Sequence, residues 1–187
     1  CRRLHSGRRF LRDFDMFDVR REYLRVVQEH GFRIPDAYLE LEPTVRVLEA
    51  AMRRRREPTV PCNNDLLAEN IIDVGGTVRL IDYEYSGNNE PSFELGNLWS
   101  ESDLSPDQLA ELVERYYGRA SRATVARARL WGLMAKVGWT LWGSIQDGIS
   151  EIDFDFWAWA TEKHERALAE LGGPDFGRLL MDVQRRD

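Results

Sequence analysis

Cysteine is scarce. Cys1 and Cys62 are the only two in 187 residues, and their spacing suits neither a metal site nor a disulfide framework. Two reduced thiols in a cytoplasmic protein is the plain reading. No apolar run approaches the ~18 residues of a membrane span. No signal-peptide core is visible either, so a membrane partner is not expected. An excess of positive charge is also lacking, since the formal net charge is −6. Nucleic acid needs a basic footprint and is not expected as a partner, whereas a cationic ligand would suit this balance. There are no internal repeats and no low-complexity segment. What is present, 43% hydrophobic and 31% charged residues, reads as one soluble globular domain with its own core.

The chain opens on Cys rather than Met, in mid-pattern, with "CRRLHSGRRFLRDFD". It reads as a processed protein or a piece of a longer one. Apolar residues at helical spacing predict a helix over 15–30, with Asp15 as N-cap and Gly31 as stop. A second helix over 44–56 ends in four arginines, Arg53 to Arg56. They could form a patch for anionic partners, but a solvated helix end suited to the C-terminal dipole is the plainer reading. Further on, Ser105, Pro106 and Gln108 form a capping box with a proline start, closed by Gly118. Helices over 121–147, 154–171 and 174–185 complete the chain. Between the two helical parts lie short β-branched stretches, "TVPC", "NIIDV" and "VRLIDYE". Gly75-Gly76 joins the last two as a tight hairpin, whose Ile71, Ile72, Leu80 and Ile81 read as core-like. The predicted class is mainly α (α+β), with helices around a small β-hairpin element.

The informative stretch is "PCNNDLLAENIIDVGGTVRLIDYEYSGNNEP", residues 61–91. Asp65 follows a predicted strand, and Asn70 comes five residues later in a loop that can return on itself. Asp82 ends the second hairpin strand, which brings it beside Asn70. An Asn and an Asp on neighbouring loops supply the hard oxygens that Mg²⁺ prefers, with phosphate and water completing the shell. A separate carboxylate can then accept a hydroxyl proton. These are the parts that kinase-type phosphoryl transfer requires. Polar turn-capping would explain any one of these residues, but not the whole pattern.

"CNNDLLAENII…LIDYEYSGNNEPSFELGNLWSE" resembles the choline/ethanolamine kinase family, of the aminoglycoside-phosphotransferase-like, protein-kinase-like fold. The family's catalytic loop reads H-x-D-x-x-x-x-N and its metal-binding Asp lies in I-D-[FY]-E-Y. The resemblance implies Asp65 as catalytic base, Asn70 and Asp82 as Mg²⁺ ligands, and ATP as phosphoryl donor. "FELGNLWSE" is similar to the family's next helix, which places Glu101 at the acceptor pocket. "RRLHS" looks like the start of the family's large lobe. Asn63 stands where the motif has His, a residue that braces the metal-binding loop. The resemblance covers nearly the whole chain, but no Gly-rich loop, strand Lys or partner Glu of a small lobe is present. The expectation is a C-terminal lobe alone, 1–187, with the nucleotide lobe preceding Cys1 in a longer protein. Its face toward that lobe would expose apolar surface and favour self-association, a homodimer included.

"KVGWTLWGSIQ" places Trp139 and Trp142 three apart on one helix face. Such pairs usually belong to a core. A quaternary ammonium, however, is recognised by aromatic faces and nearby carboxylates. The W-x-x-W resembles choline kinases specifically. With Glu84 and Glu101 supplying charge, and Tyr85 and Trp157 as further wall candidates, the acceptor implied is choline or a related cationic amino alcohol. Two readings compete: a phosphotransferase for aminoglycosides or thiamine, and a degenerate kinase-like module that binds a quaternary amine without catalysis. Asn63 favours the second, while Asp65, Asn70 and Asp82 together count against it.

Overall fold

The computed structural model describes residues 1–186. After a short helix α1 (Arg2–His5), α2 (Met16–His30) begins at Asp15, whose carboxylate accepts the Phe17 N–H. It stops at Gly31 in the left-handed conformation. Helix α3 (Glu42–Arg53) follows. Helix α4 (Pro91–Glu101) leads to α5 (Pro106–Tyr117), which carries the predicted capping box and ends at left-handed Gly118. Helix α6 (Arg122–Ile149) runs through the middle of the molecule and packs on α2, α4 and α7 (Phe156–Leu171). Helix α8 (Asp175–Asp182) closes the described chain. No helix among the described residues is long and apolar enough to cross a membrane.

The core follows from α6. Leu130, Leu133, Met134, Val137 and Leu141 are fully buried there and meet Met16, Phe17, Leu48 and Phe93 from the surrounding helices. Helices α4 and α6 cross at two glycines. A Cβ on Gly96 would overlap the Ala128 carbonyl oxygen, and one on Gly132 would lie 2.7 Å from the Gly96 carbonyl oxygen. Only residues without side chains allow backbones this close. That crossing sets α4 against α6, with the Trp99 ring of α4 lying directly over Gly132.

The β structure is two antiparallel pairs. Strand β1 (Val60–Cys62) pairs with β4 (Gly87–Asn89), Val60 opposite Asn89. Strand β2 (Ile71–Val74) pairs with β3 (Thr77–Leu80), Ile71 opposite Leu80. Gly75 and Gly76, at φ +59° and +83°, make the tight turn.

Two expectations are corrected, and one strand was not expected. Helix α3 ends at Arg53, so Arg54, Arg55 and Arg56 follow it rather than form its last turn. Ile72 and Ile81 are not core: they are 39% and 46% exposed, because no described residue covers them. The strand Gly87–Asn89 had no β-forming sequence and is held by pairing and by Asn88, whose amide donates to the Phe10 and Arg12 carbonyls.

Candidate active site

Strand β1 delivers the chain to Asn63, Asn64 and Asp65, and buried polar groups fix each of them. The Glu94 carboxylate of α4 accepts the Asn63 N–H at 2.8 Å. Glu94 is itself bonded to His5 of α1, whose other ring nitrogen meets the Tyr116 hydroxyl at 2.7 Å. Asn64 adopts φ +68°, which Asn tolerates better than most residues, and its amide donates to the Tyr85 carbonyl.

Asn63 is the joint of the site. Its Oδ1 accepts the Asp65 N–H at 3.0 Å. Its Nδ2 donates to the carbonyls of Asp82 at 2.6 Å and Ile81 at 3.3 Å. One amide therefore ties the loop of Asp65 to the loop of Asp82, which is itself in the left-handed region at φ +55°. Asn70 completes the arrangement. Its Nδ2 donates to the Asp65 carbonyl at 2.9 Å, and its own carbonyl accepts the Ile81 N–H. The fixed Nδ2 leaves Oδ1 as the atom free to bind a cation. Neither it nor the Asp82 carboxylate has a hydrogen-bond or ion-pair partner among the described residues. That donor set of hard oxygens fits Mg²⁺.

The Asp65 carboxyl is pushed up to about 6 by burial first, then by the charges of Glu101, Asp82 and Glu84, with Lys163 opposing. Asp65 thus sits in a field shared with three other carboxylates, and it holds its proton more strongly than an ordinary carboxyl group.

The predicted acceptor wall is brought together in part. Tyr85 meets the Trp139 ring edge-on at 5.2 Å. Burial and the neighbouring Tyr23 and Glu84 raise the Tyr85 hydroxyl. Trp139 is buried, and its indole N–H donates to Asn97, so it backs the pocket rather than lining it. Trp142 is half-buried and packs edge-on against Phe156 and Trp159. Glu84 is exposed at the mouth. Trp157 stands apart, with the Arg33 guanidinium 4.1 Å above its ring.

Two residues escaped the sequence reading. Lys163 of α7 donates to Glu101 at 2.6 Å and lies 4.3 Å from the centre of the Trp159 ring. Together with Ser100 and Lys136 they line a cleft of about 140 Å³. The available signal was composition: Lys136 and Lys163 are the only lysines among 26 basic residues. Both hold a Glu and lie over a Trp.

Residues 8–111 match the choline/ethanolamine kinase family. This chain belongs to that family. It is 34% identical over 147 residues to ethanolamine kinase 2 of Homo sapiens, covering 64% of this chain and 38% of that protein. Protein LicA of Haemophilus influenzae is 25% identical over 182 residues, 90% of this chain and 52% of its own. The crystal structure of a choline/ethanolamine kinase family protein from Mesorhizobium loti superposes with a TM-score of 0.89 at 32% identity. It covers 98% of this chain and 63% of that one. The mainly helical, kinase-like architecture expected from the sequence is the one found. The chain spans about two fifths to two thirds of the length of these relatives.

Proposed function

We propose that this chain is the catalytic and acceptor-binding lobe of a kinase that moves the ATP γ-phosphoryl group to the hydroxyl of choline or a related amino alcohol. The observation that carries this reading is the Asn63 joint, which ties the loops of Asp65 and Asp82, with Asn70 bonded to the backbone of both. A turn-capping loop has no need of such a tie. It also supports catalysis over the degenerate-module reading, because Asn63 makes a bracing contact to both loops.

Asp65 faces the acceptor and takes the hydroxyl proton as the oxygen bonds to phosphorus and the β–γ bridge breaks, releasing ADP. A base held near neutrality suits that transfer. Asn70 and Asp82 would hold Mg²⁺, which when bound supplies positive charge to the phosphates. Glu84 and Glu101 attract the acceptor cation, and Tyr85 and Trp142 offer aromatic surface to it, with Trp139 behind. The exposed apolar hairpin, with Val74 and Val78 52% and 62% exposed, is the surface that a nucleotide-binding lobe would cover.

The test is ATP consumption by the protein with its small lobe, against choline, ethanolamine, thiamine and an aminoglycoside. Turnover with an amino alcohol that vanishes in Asp82→Ala supports the reading. Turnover with thiamine or the aminoglycoside alone would replace the acceptor. Amine binding without any turnover would favour the degenerate module and make Asn63→His the next variant.

A further inference from the structure

Arginines far apart in sequence converge on the side of the molecule formed by the end of α3, the start of α6 and the end of the chain. Arg54 and Arg55 come from beyond α3, Arg119 from the loop before α6, Arg127 from α6, and Arg185 and Arg186 from beyond α8. They line one groove of about 730 Å³. None of its lining residues belongs to the candidate active site. A solvated helix end explains three arginines in a row, but not the arrival of four more from other elements.

The compensation of these charges is incomplete. Arg56 and Arg127 share Glu90, and Arg185 pairs with Asp182. Arg54 donates to the neutral Gln184 side chain, and Arg55 to the Arg185 carbonyl. Those two bonds order the guanidiniums without cancelling charge. Arg119 and Arg186 have no carboxylate partner among the described residues. Arg127 is 4% exposed, and its Nη1 has no hydrogen-bond partner among the described residues. A chain of net charge −6 therefore gathers four guanidiniums that have no carboxylate partner among the described residues around one concavity, where Glu57 is the only acidic side chain in the described lining, with an unsatisfied donor in its wall. Like charges brought together repel, so the arrangement is favourable only when an anion joins it.

We infer that this groove is a binding site for a soluble anion bearing two or more phosphoryl groups. Planar guanidiniums match phosphate oxygens two by two. No aromatic side chain lines the groove, so it offers no surface for stacking nucleic-acid bases. Its concavity suits a discrete molecule rather than a flat membrane.

The test uses inorganic pyrophosphate as probe, by calorimetry on the purified chain in EDTA, which leaves the acidic active site repulsive to phosphate. Saturable binding that weakens with salt is expected. The exposed-surface variant Arg55→Glu/Arg119→Glu should weaken it about tenfold or more. The control Arg8→Glu/Arg115→Glu, with equal charge change outside the groove, should stay within about twofold of wild type. Absence of binding, or equal weakening by both variants, would overturn the site. So would co-sedimentation with phosphatidylserine vesicles, lost in Arg55→Glu/Arg119→Glu, without any pyrophosphate binding, because the groove would then serve a lipid surface.

Discussion

Replacing Lys163 by Met removes a charge from the proposed acceptor pocket while keeping a long side chain over Trp159. The Lys163 and Glu101 side chains are 13% and 6% exposed, with nitrogen and oxygen 2.6 Å apart. Breaking such a pair from one side strands the other charge and costs ~3–5 kcal/mol. The ring contact adds about 1 kcal/mol, partly retained by the Met sulfur. Partial water access lowers the sum, so about 3 kcal/mol is the expected loss, read from urea unfolding of the chain at neutral pH. Glu101→Gln in the same background removes the stranded carboxylate. The double variant Lys163→Met/Glu101→Gln should therefore return to within ~1 kcal/mol of wild type. If the double variant is no more stable than the single one, Glu101 is not what Lys163 neutralises, and the reasoning fails. A second readout follows from geometry. Lys163 presents an ammonium to a carboxylate and an indole face, the partners an amino-alcohol acceptor would seek. Choline or ethanolamine should accordingly stabilise Lys163→Met more than wild type. Equal stabilisation would place the acceptor elsewhere.

Further outcomes are expected. Gly132→Ala adds a methyl 2.9 Å from the Trp99 ring and 2.7 Å from the Gly96 carbonyl oxygen. It should cost at least ~2 kcal/mol in the same unfolding assay, and a loss below ~0.5 kcal/mol would mean that the helices slide apart freely. Asp65 titrates at about 6 when folded, against an ordinary value of 3.8. The folded chain thus binds more protons than the unfolded one in that window, and stability falls as pH rises through it. Asp65→Asn, measured without metal, should flatten that fall and be more stable than wild type at neutral pH, whereas an unchanged slope would assign the window to another group. Cys62 is buried and its thiol is raised by burial and by Glu94, while Cys1 is exposed. Iodoacetamide should label one thiol in the native chain and two in urea, as counted by mass spectrometry.

Local chemistry explains what the sequence revealed. Asp15, Gly31 and the Ser105 capping box mark helix ends through bonds to their own neighbours, so residues close in sequence suffice to read them. The D-x4-N and I-D-Y-E spacings are equally local, and Asp65, Asn70 and Asp82 lie together, although β3 stops at Leu80 and Asp82 lies two residues beyond the strand it was expected to end. Contacts across the chain were not legible. The burial of Trp139 depends on Asn97, the covering of Trp157 on Arg33, and the occupied state of Glu101 on Lys163, which is 62 residues away. The hairpin misled for a related reason. Its β-branched residues read as buried, yet Ile72, Val74 and Val78 are exposed, and sequence alone does not say what faces them. The arginines gave the opposite result: their run was visible, but the groove exists only once three other segments arrive.

The Asn63 amide makes the two acidic loops one mechanical body. Asp65 cannot withdraw from Asp82 while that side chain keeps its bonds to both, so their separation is not an independent coordinate of motion. Any inactive state that turns the Asp82 loop outward must first rotate Asn63, a side chain with no measurable exposure to water. Switching in this protein is therefore expected to come from how its parts close over a rigid floor, not from rearrangement of the floor itself.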